Sequence, residues 1–322
     1  MTSINRERYS HEQRTLAPRD QWSSEVTAVL EANALGKRYG RRWSLSDCTL
    51  SIPDGKVVGL VGPNGAGKTT LLHLAVGLSA PTSGTVKVLG GHPSQSATQL
   101  ARVGFVAQDT PTYAALTVAD HLRLGAWLNT RWDNDAAEQR IERIGLDGHQ
   151  RVGSLSGGQR AQLALTLAIA KRPELLIFDE PVASLDPLAR REFLQSLSEI
   201  VSEHGVSVIL SSHLVADLER VCDYVVVLVA SRVQVAGAID ELLSSHHRIT
   251  GPHRKLDNLP TGAHVIEARH ADGQSTFVVR GADVVVGPEW TVETVKLEDT
   301  VLAYMANSVV DAGDAPLSEL KS

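Results

Sequence analysis

From about residue 30 to residue 245, short apolar runs alternate with stretches of helical spacing. Residues 56–61 (KVVGLV) predict a short buried strand that ends in a glycine-rich loop, and residues 68–78 follow with helical spacing. Residues 103–107, 175–178 and 206–210 are further short apolar or β-branched runs. Runs this short, separated by helical segments, predict parallel strands covered on both faces. A polar, helix-rich stretch from residue 117 to 150, carrying Trp127 and Trp132, interrupts the alternation. It predicts an inserted helical subdomain, which we bound at about residues 110–165. Residues 225–235 predict a closing hairpin around Ala230, Ser231 and Arg232.

The two ends read differently. Residues 1–28 are polar and mixed in charge without sustained periodicity, which predicts a flexible N-terminal extension. From Ser244 the polar run Ser244-Ser245-His246-His247-Arg248 reads as a linker, and its two histidines as solvated residues rather than metal ligands. Residues 263–280 read as two strands around a tight turn, residues 297–306 as an amphipathic helix, and the last dozen as a frayed end. Residues 246–322 are therefore expected to form a small α+β accessory domain that aids dimerisation, after an α/β domain at 29–245.

Composition narrows the function classes. The 322 residues suggest about two domains at ~150 residues each. With 31 Lys and Arg against 37 Asp and Glu, the net charge of −6 argues against a general nucleic-acid binder. The longest apolar run, residues 224–230, is far short of the ~18 residues of a membrane span, so the chain is expected not to cross a bilayer on its own. The first twenty residues carry four arginines and no apolar core, which disfavours a secretory signal. Cys48 and Cys222 lack metal-like spacing, so a reducing cytosol is the expected setting.

The chemistry begins at Gly62-Pro63-Asn64-Gly65-Ala66-Gly67-Lys68-Thr69, which fits G-x-x-x-x-G-K-[ST]. Its glycines let backbone N–H groups converge on phosphate oxygens, and the following helix aims its positive end at them. Lys68 would meet the β- and γ-phosphates and Thr69 would offer a hydroxyl to Mg²⁺. The run Leu175-Leu176-Ile177-Phe178 ends in Asp179 and Glu180. A carboxylate at a strand end, here Asp179, can hold Mg²⁺ through water, and Glu180 can act as general base on the attacking water.

Between these stands Leu155-Ser156-Gly157-Gly158-Gln159, with Ser184-Leu185-Asp186 and Ser211-Ser212-His213 further on. In this order the motifs resemble the ATP-binding subunit of ABC transporters over about residues 30–245. The resemblance implies a P-loop ABC cassette, α/β, with a mostly parallel sheet, an N-terminal antiparallel β part and a helical subdomain. It implies that Tyr39 stacks on adenine, that residues 62–70, including Thr70, hold the phosphates, and that Gln108 reaches Mg²⁺ and the attacking water. It also implies that His213 contacts the γ-phosphate and that Asp186 bridges two subunits. Ser156, Gly157, Gly158 and Gln159 would face the phosphate loop of a second copy, with ATP between two head-to-tail cassettes. Hydrolysis would then loosen the pair.

The resemblance further implies a separate transmembrane permease, a homodimer or a pseudo-dimer with a paralogous subunit, attachment at the cytoplasmic membrane face, and no direct nucleic-acid partner. Leu297–Met305 is similar to the closing helix of ABC-2-type export systems, which favours export. Two other readings stay open: a soluble ABC ATPase acting on ribosomes or DNA, and a nucleotide-binding regulator without turnover. Glu180 and His213 speak against the second. Transported cargo is encoded nowhere in this chain.

Overall fold

The structure, a computed structural model, describes residues 28–110, 112–253, 263–271, 273–281 and 286–313, with side chains as far as Ala306. The predicted N-terminal extension, apart from Ala28, and the predicted frayed end from residue 314 lie outside these residues. In chain order the first elements are β1 (Ala28–Tyr39), β2 (Arg42–Pro53), β3 (Val57–Val61), α1 (Lys68–Ala75), β4 (Ser83–Val88), α2 (Ala97–Ala101) and β5 (Val103–Val106). Then come α3 (Val118–Leu128), α4 (Asn134–Arg143), α5 (Gly157–Ala170), β6 (Leu175–Phe178), α6 (Pro187–His204), β7 (Ser207–Ser212) and α7 (Val215–Leu218). The rest are β8 (Tyr224–Val229), β9 (Arg232–Ala238), α8 (Ile239–Ser245), β10 (His246–Pro252), β11 (His264–Ala271), β12 (Gln274–Arg280), β13 (Thr291–Thr294) and α9 (Leu297–Gly313).

The central sheet has the order β5-β6-β7-β3-β8-β9 and is parallel except for β9. Its inner strands β3, β6 and β7 are buried along their whole length, and β3 and β6 are apolar throughout, because both faces are covered. Period-two alternation divides them between two cores. Val57, Val61, Leu176, Phe178, Val208 and Leu210 enter one, with α5, α6 and α9. Val58, Leu60, Leu175, Ile177 and Ile209 enter the other, with α1 and the antiparallel sheet β2-β1-β4. Helix α1 is thus clamped between two sheets.

Helices α3 and α4 form the insertion, with Val118, Ile141, Leu146, Val152 and Leu155 packed on Leu163 of α5. Helix α5 also presents Ala161, Leu165 and Ala168 to the first core, so it ties the insertion to the sheet. The capping box of Thr117 and Asp120 starts α3, and Asp133 caps α4.

The linker expected at Ser244–Arg248 is corrected by the structure. Ser244 and Ser245 close α8, and His246 opens β10 without a break. His246 is fully buried, bonded through Nδ1 to the Leu242 carbonyl (2.7 Å) and through Nε2 to the Tyr304 hydroxyl (2.9 Å). Beyond it stands an antiparallel sheet of order β11-β12-β10-β13, with Ile249, Phe277 and Val279 in a small core of their own. The last helix, α9, returns to the main body and places Leu297, Val301 and Tyr304 in the first core.

Candidate functional site

The loop after β3 is shaped by two steric facts. A Cβ on Gly62 would stand 2.0 Å from the Leu228 carbonyl oxygen, so only glycine lets β3 turn there beside β8. Gly67, at φ 107, occupies the N-cap position of α1 and offers no side-chain cap. The first N–H groups of α1 therefore lack a capping side chain, which is the condition for an anion site.

Lys68 is buried and bent back over its own loop. Its Nζ donates to the Gly62 carbonyl (2.8 Å) and the Pro63 carbonyl (3.4 Å) and lies 3.3 Å from Glu180 Oε1. The other Glu180 oxygen lies 3.3 Å from His213 Nδ1. Three segments, one each from the ends of β3, β6 and β7, thus converge in a chain of cation, carboxylate and imidazole. Glu180 holds φ 47, a left-handed backbone unusual for a non-glycine residue, and such strain concentrates at functional positions.

Asp179 lies behind Glu180 and is almost wholly buried. Its N–H donates to Val106 O (2.9 Å) on β5, and its Oδ1 accepts from Ser211 Oγ (2.8 Å) on β7. Ser211 Oγ also accepts the Glu180 N–H (2.8 Å).

A cleft of about 500 Å³ brings together Asn64, Lys68, Thr69, Gln108, Glu180 and His213. Gly65, Gly67 and Thr70 also line it, and Pro63 and Ala66 complete the loop beneath, with Ala66 N–H donating to Pro63 O (3.1 Å). The Thr69 hydroxyl, the Gln108 amide oxygen and the Asp179 carboxylate are hard oxygen donors of the kind Mg²⁺ prefers. Their chemistry fits that ion.

The other residues singled out in the sequence stand apart from this cleft. Tyr39, at the end of β1, is half exposed, with Lys37 Nζ 5.1 Å from its ring centroid. Ser156 caps α5, its Oγ accepting from Gln159 N–H (3.1 Å) while Gln159 Oε1 accepts from Ser156 N–H (2.9 Å). Asp186 caps α6 through Leu188 and Ala189 N–H (3.0 Å each). Gly157 lines a second cleft of about 640 Å³ with Arg160 and Ser184. Gln108 and Ala183 border both clefts, and Gly158 follows Gly157 in the first turn of α5.

Sequence reasoning missed two contributors. Ser44, on β2, lines the cleft and shares a 2.7 Å hydroxyl contact with Thr70. Nothing local marks it, because only the fold brings β2 over α1. Ser211 stood within the Ser-Ser-His run, but its link to both acids depends on the register between β6 and β7.

The model of a family described as ABC transporter matches residues 45–183. The bacitracin transport ATP-binding protein BcrA of Enterococcus faecalis is 32% identical over 225 residues, 69% of this chain and 73% of that protein. The sulfate/thiosulfate import ATP-binding protein CysA 2 of Chromobacterium violaceum is 30% identical over 288 residues, 83% of this chain and 78% of that protein. A solved ATP-binding subunit of an ABC transporter superposes with a TM-score of 0.60 at 29% identity, over 66% of this chain and 91% of that one.

Proposed function

This chain belongs to the ABC transporter ATP-binding proteins, a family of ATPases, and from that premise we propose that it energises an exporter by closing head to tail on a second cassette. The observation that carries the reading is the separation of the two half-sites. Phosphate loop, general base and His213 share one cleft, whereas the glycine turn at Gly157 borders another. A single chain so arranged holds one face of a nucleotide and leaves the N-terminus of α5 for the nucleotide held by a second chain.

Residues 62–70 would hold the phosphates, with Tyr39 against the base and Ser156–Gln159 and Asp186 serving the partner cassette. Thr69, Gln108 and Asp179 would hold Mg²⁺, which supplies charge neutralisation on the transferred phosphoryl group. Phosphates bound by Lys68 draw that ammonium away from Glu180. The freed carboxylate can then take the proton of the attacking water, with His213 holding its second oxygen.

The function requires a membrane partner. Among the described residues no helix is long and apolar enough to cross a membrane. We assign the pore to a separate permease, which places this chain at the cytoplasmic membrane face. Docking falls on the helical insertion, where Trp127 is 82% exposed and Leu128 72% exposed. Export rather than import is favoured by the likeness of the closing helix to ABC-2-type export systems. We take residues 29–245 as the ATPase domain and 246–322 as the accessory piece.

The test is light scattering of the Glu180→Gln chain with saturating ATP. This variant should bind ATP, lose turnover and run as a dimer. A monomer with nucleotide bound would overturn head-to-tail closure, and turnover at the parental rate would overturn the general-base assignment.

A further inference from the structure

Strand β7 carries two fully buried serines, Ser207 and Ser211, four residues apart and so on one face of the strand. They make the same pair of bonds. Ser207 Oγ accepts the Gly55 N–H (2.8 Å) and donates to Asp54 Oδ1 (2.7 Å). Ser211 Oγ accepts the Glu180 N–H (2.8 Å) and donates to Asp179 Oδ1 (2.8 Å). The polarity is fixed, because a peptide N–H only donates and an ionised carboxylate only accepts. Each hydroxyl thus pins a turn at two consecutive residues. Ser207 does so at the end of the sheet away from the cleft. Ser211 does so beneath Glu180 of the cleft and Asp179 buried behind it.

We propose that Ser211 is a positioning residue for metal binding and hydrolysis, fixing the carboxylate of Asp179 and the backbone of Glu180 together. The inference rests on the assignment of Asp179 to the metal and Glu180 to the base. The Asp179 carboxylate has its backbone tied to β5 and one oxygen tied to β7, which leaves its other oxygen as the one to serve the cation. Glu180 sits at φ 47, and the N–H bond to Ser211 holds that strained peptide in place. Removing the hydroxyl takes one bond from each acid at once, while the bonds of Lys68 to the Gly62 and Pro63 carbonyls within the phosphate loop are not touched.

The test measures Mn²⁺ binding to the ADP complex by electron paramagnetic resonance, beside steady-state kinetics and metal-free ADP affinity. Ser211→Ala should weaken Mn²⁺ by about tenfold or more and lower kcat by a similar factor, as loss of a ligand-orienting bond does elsewhere. Metal-free ADP affinity should stay at its parental value. Ser211→Thr, which keeps a hydroxyl, should restore most of both losses. Ser207→Ala removes the twin from the far end of the strand and should lower the melting temperature without moving Mn²⁺ affinity. If Ser211→Ala does not fold, Ser211→Cys, with a weak thiol donor of similar size, should show the same weakening.

Parental Mn²⁺ affinity in a folded Ser211→Ala or Ser211→Cys chain, with Asp179→Asn losing it, would overturn the positioning role alone. Parental affinity in Asp179→Asn as well would overturn the metal assignment and this proposal with it. Equal weakening by Ser207→Ala would reduce both serines to structural residues and also overturn it.

Discussion

The phosphate-loop cleft and the starts of α5 and α6 both carry motif residues, but their polar groups find partners in opposite ways. In the cleft, Lys68, Glu180 and His213 come from three separate segments and are bonded to one another. At the helix starts, the side chains of Ser156 and Asp186 bond only within two or three residues of themselves. The cleft is a tertiary construction whose cation and carboxylate hold each other. The caps are local and already complete, and they stand exposed. On the proposed mechanism one region exchanges partners when nucleotide arrives, and the other waits for a second molecule.

The largest break of this comparison is Lys68→Ala. It removes a charge-assisted donor from the phosphates and a cation from beside a nearly buried carboxylate. ATP affinity should fall by about 100-fold, roughly 2.7 kcal/mol, measured by titration calorimetry. A loss of less than about threefold would mean that the loop amides alone carry the phosphates.

That contrast also explains what the sequence could reveal. The phosphate loop and the acid pair were legible because each is a local pattern whose chemistry follows from its own spacing, whereas Ser156 and Asp186 were marked for function only by the family resemblance and the capping bonds of Asp186 went unread. The parallel strands were legible because burial on both faces demands continuous apolar runs, as in Val57–Val61 and Leu175–Phe178. The role of Ser211 was not legible, because it depends on where β7 lies against β6. Nor was the burial of His246. Its polarity reads as linker, but its partner Tyr304 comes from a helix 58 positions away in sequence. Helix α9 was legible as amphipathic; which surface its apolar side covers was not, and Leu297 and Val301 turn out to complete the core beside α6 and β8.

A smaller effect sharpens the comparison from the other side. Ser156→Ala deletes a cap worth about 1 kcal/mol of stability and leaves the cleft untouched. If the α5 start serves the nucleotide of a second chain, ATP binding to the isolated chain should stay within about twofold of parental. Hydrolysis at concentrations where the chain pairs should fall about tenfold, since charge-assisted contacts at a helix N-terminus would be lost. Binding and hydrolysis falling together would put Ser156 in the same half-site as Lys68 and undo the separation drawn above.

The smallest effect concerns a third polar contact, built like the cleft from distant segments but outside both clefts. His246 Nδ1 donates to the Leu242 carbonyl at 2.7 Å, so its Nε2 accepts from the Tyr304 hydroxyl at 2.9 Å. Burial pushes the His246 pKa below the usual 6.5; the Leu242 bond opposes this, while nearby Arg280 and His247 add to the lowering. The unfolded chain therefore binds a proton that the folded chain refuses. This contribution to stability is complete above about pH 6.5 and is lost as the pH falls toward the lower folded value. Urea midpoints of the parent should drop between pH 8 and pH 6 by more than those of His246→Gln, which cannot titrate. Tyr304→Phe should cost about 1–2 kcal/mol at pH 8, because the hydroxyl bonds to Arg280 as well as to His246. ATP affinity at pH 8 should be the same in all three chains, because assembly from distant segments confers function only where the segments converge on a cleft. An altered ATP affinity in Tyr304→Phe would show instead that α9, through the core it shares with β8 and α6, sets the shape of the nucleotide site.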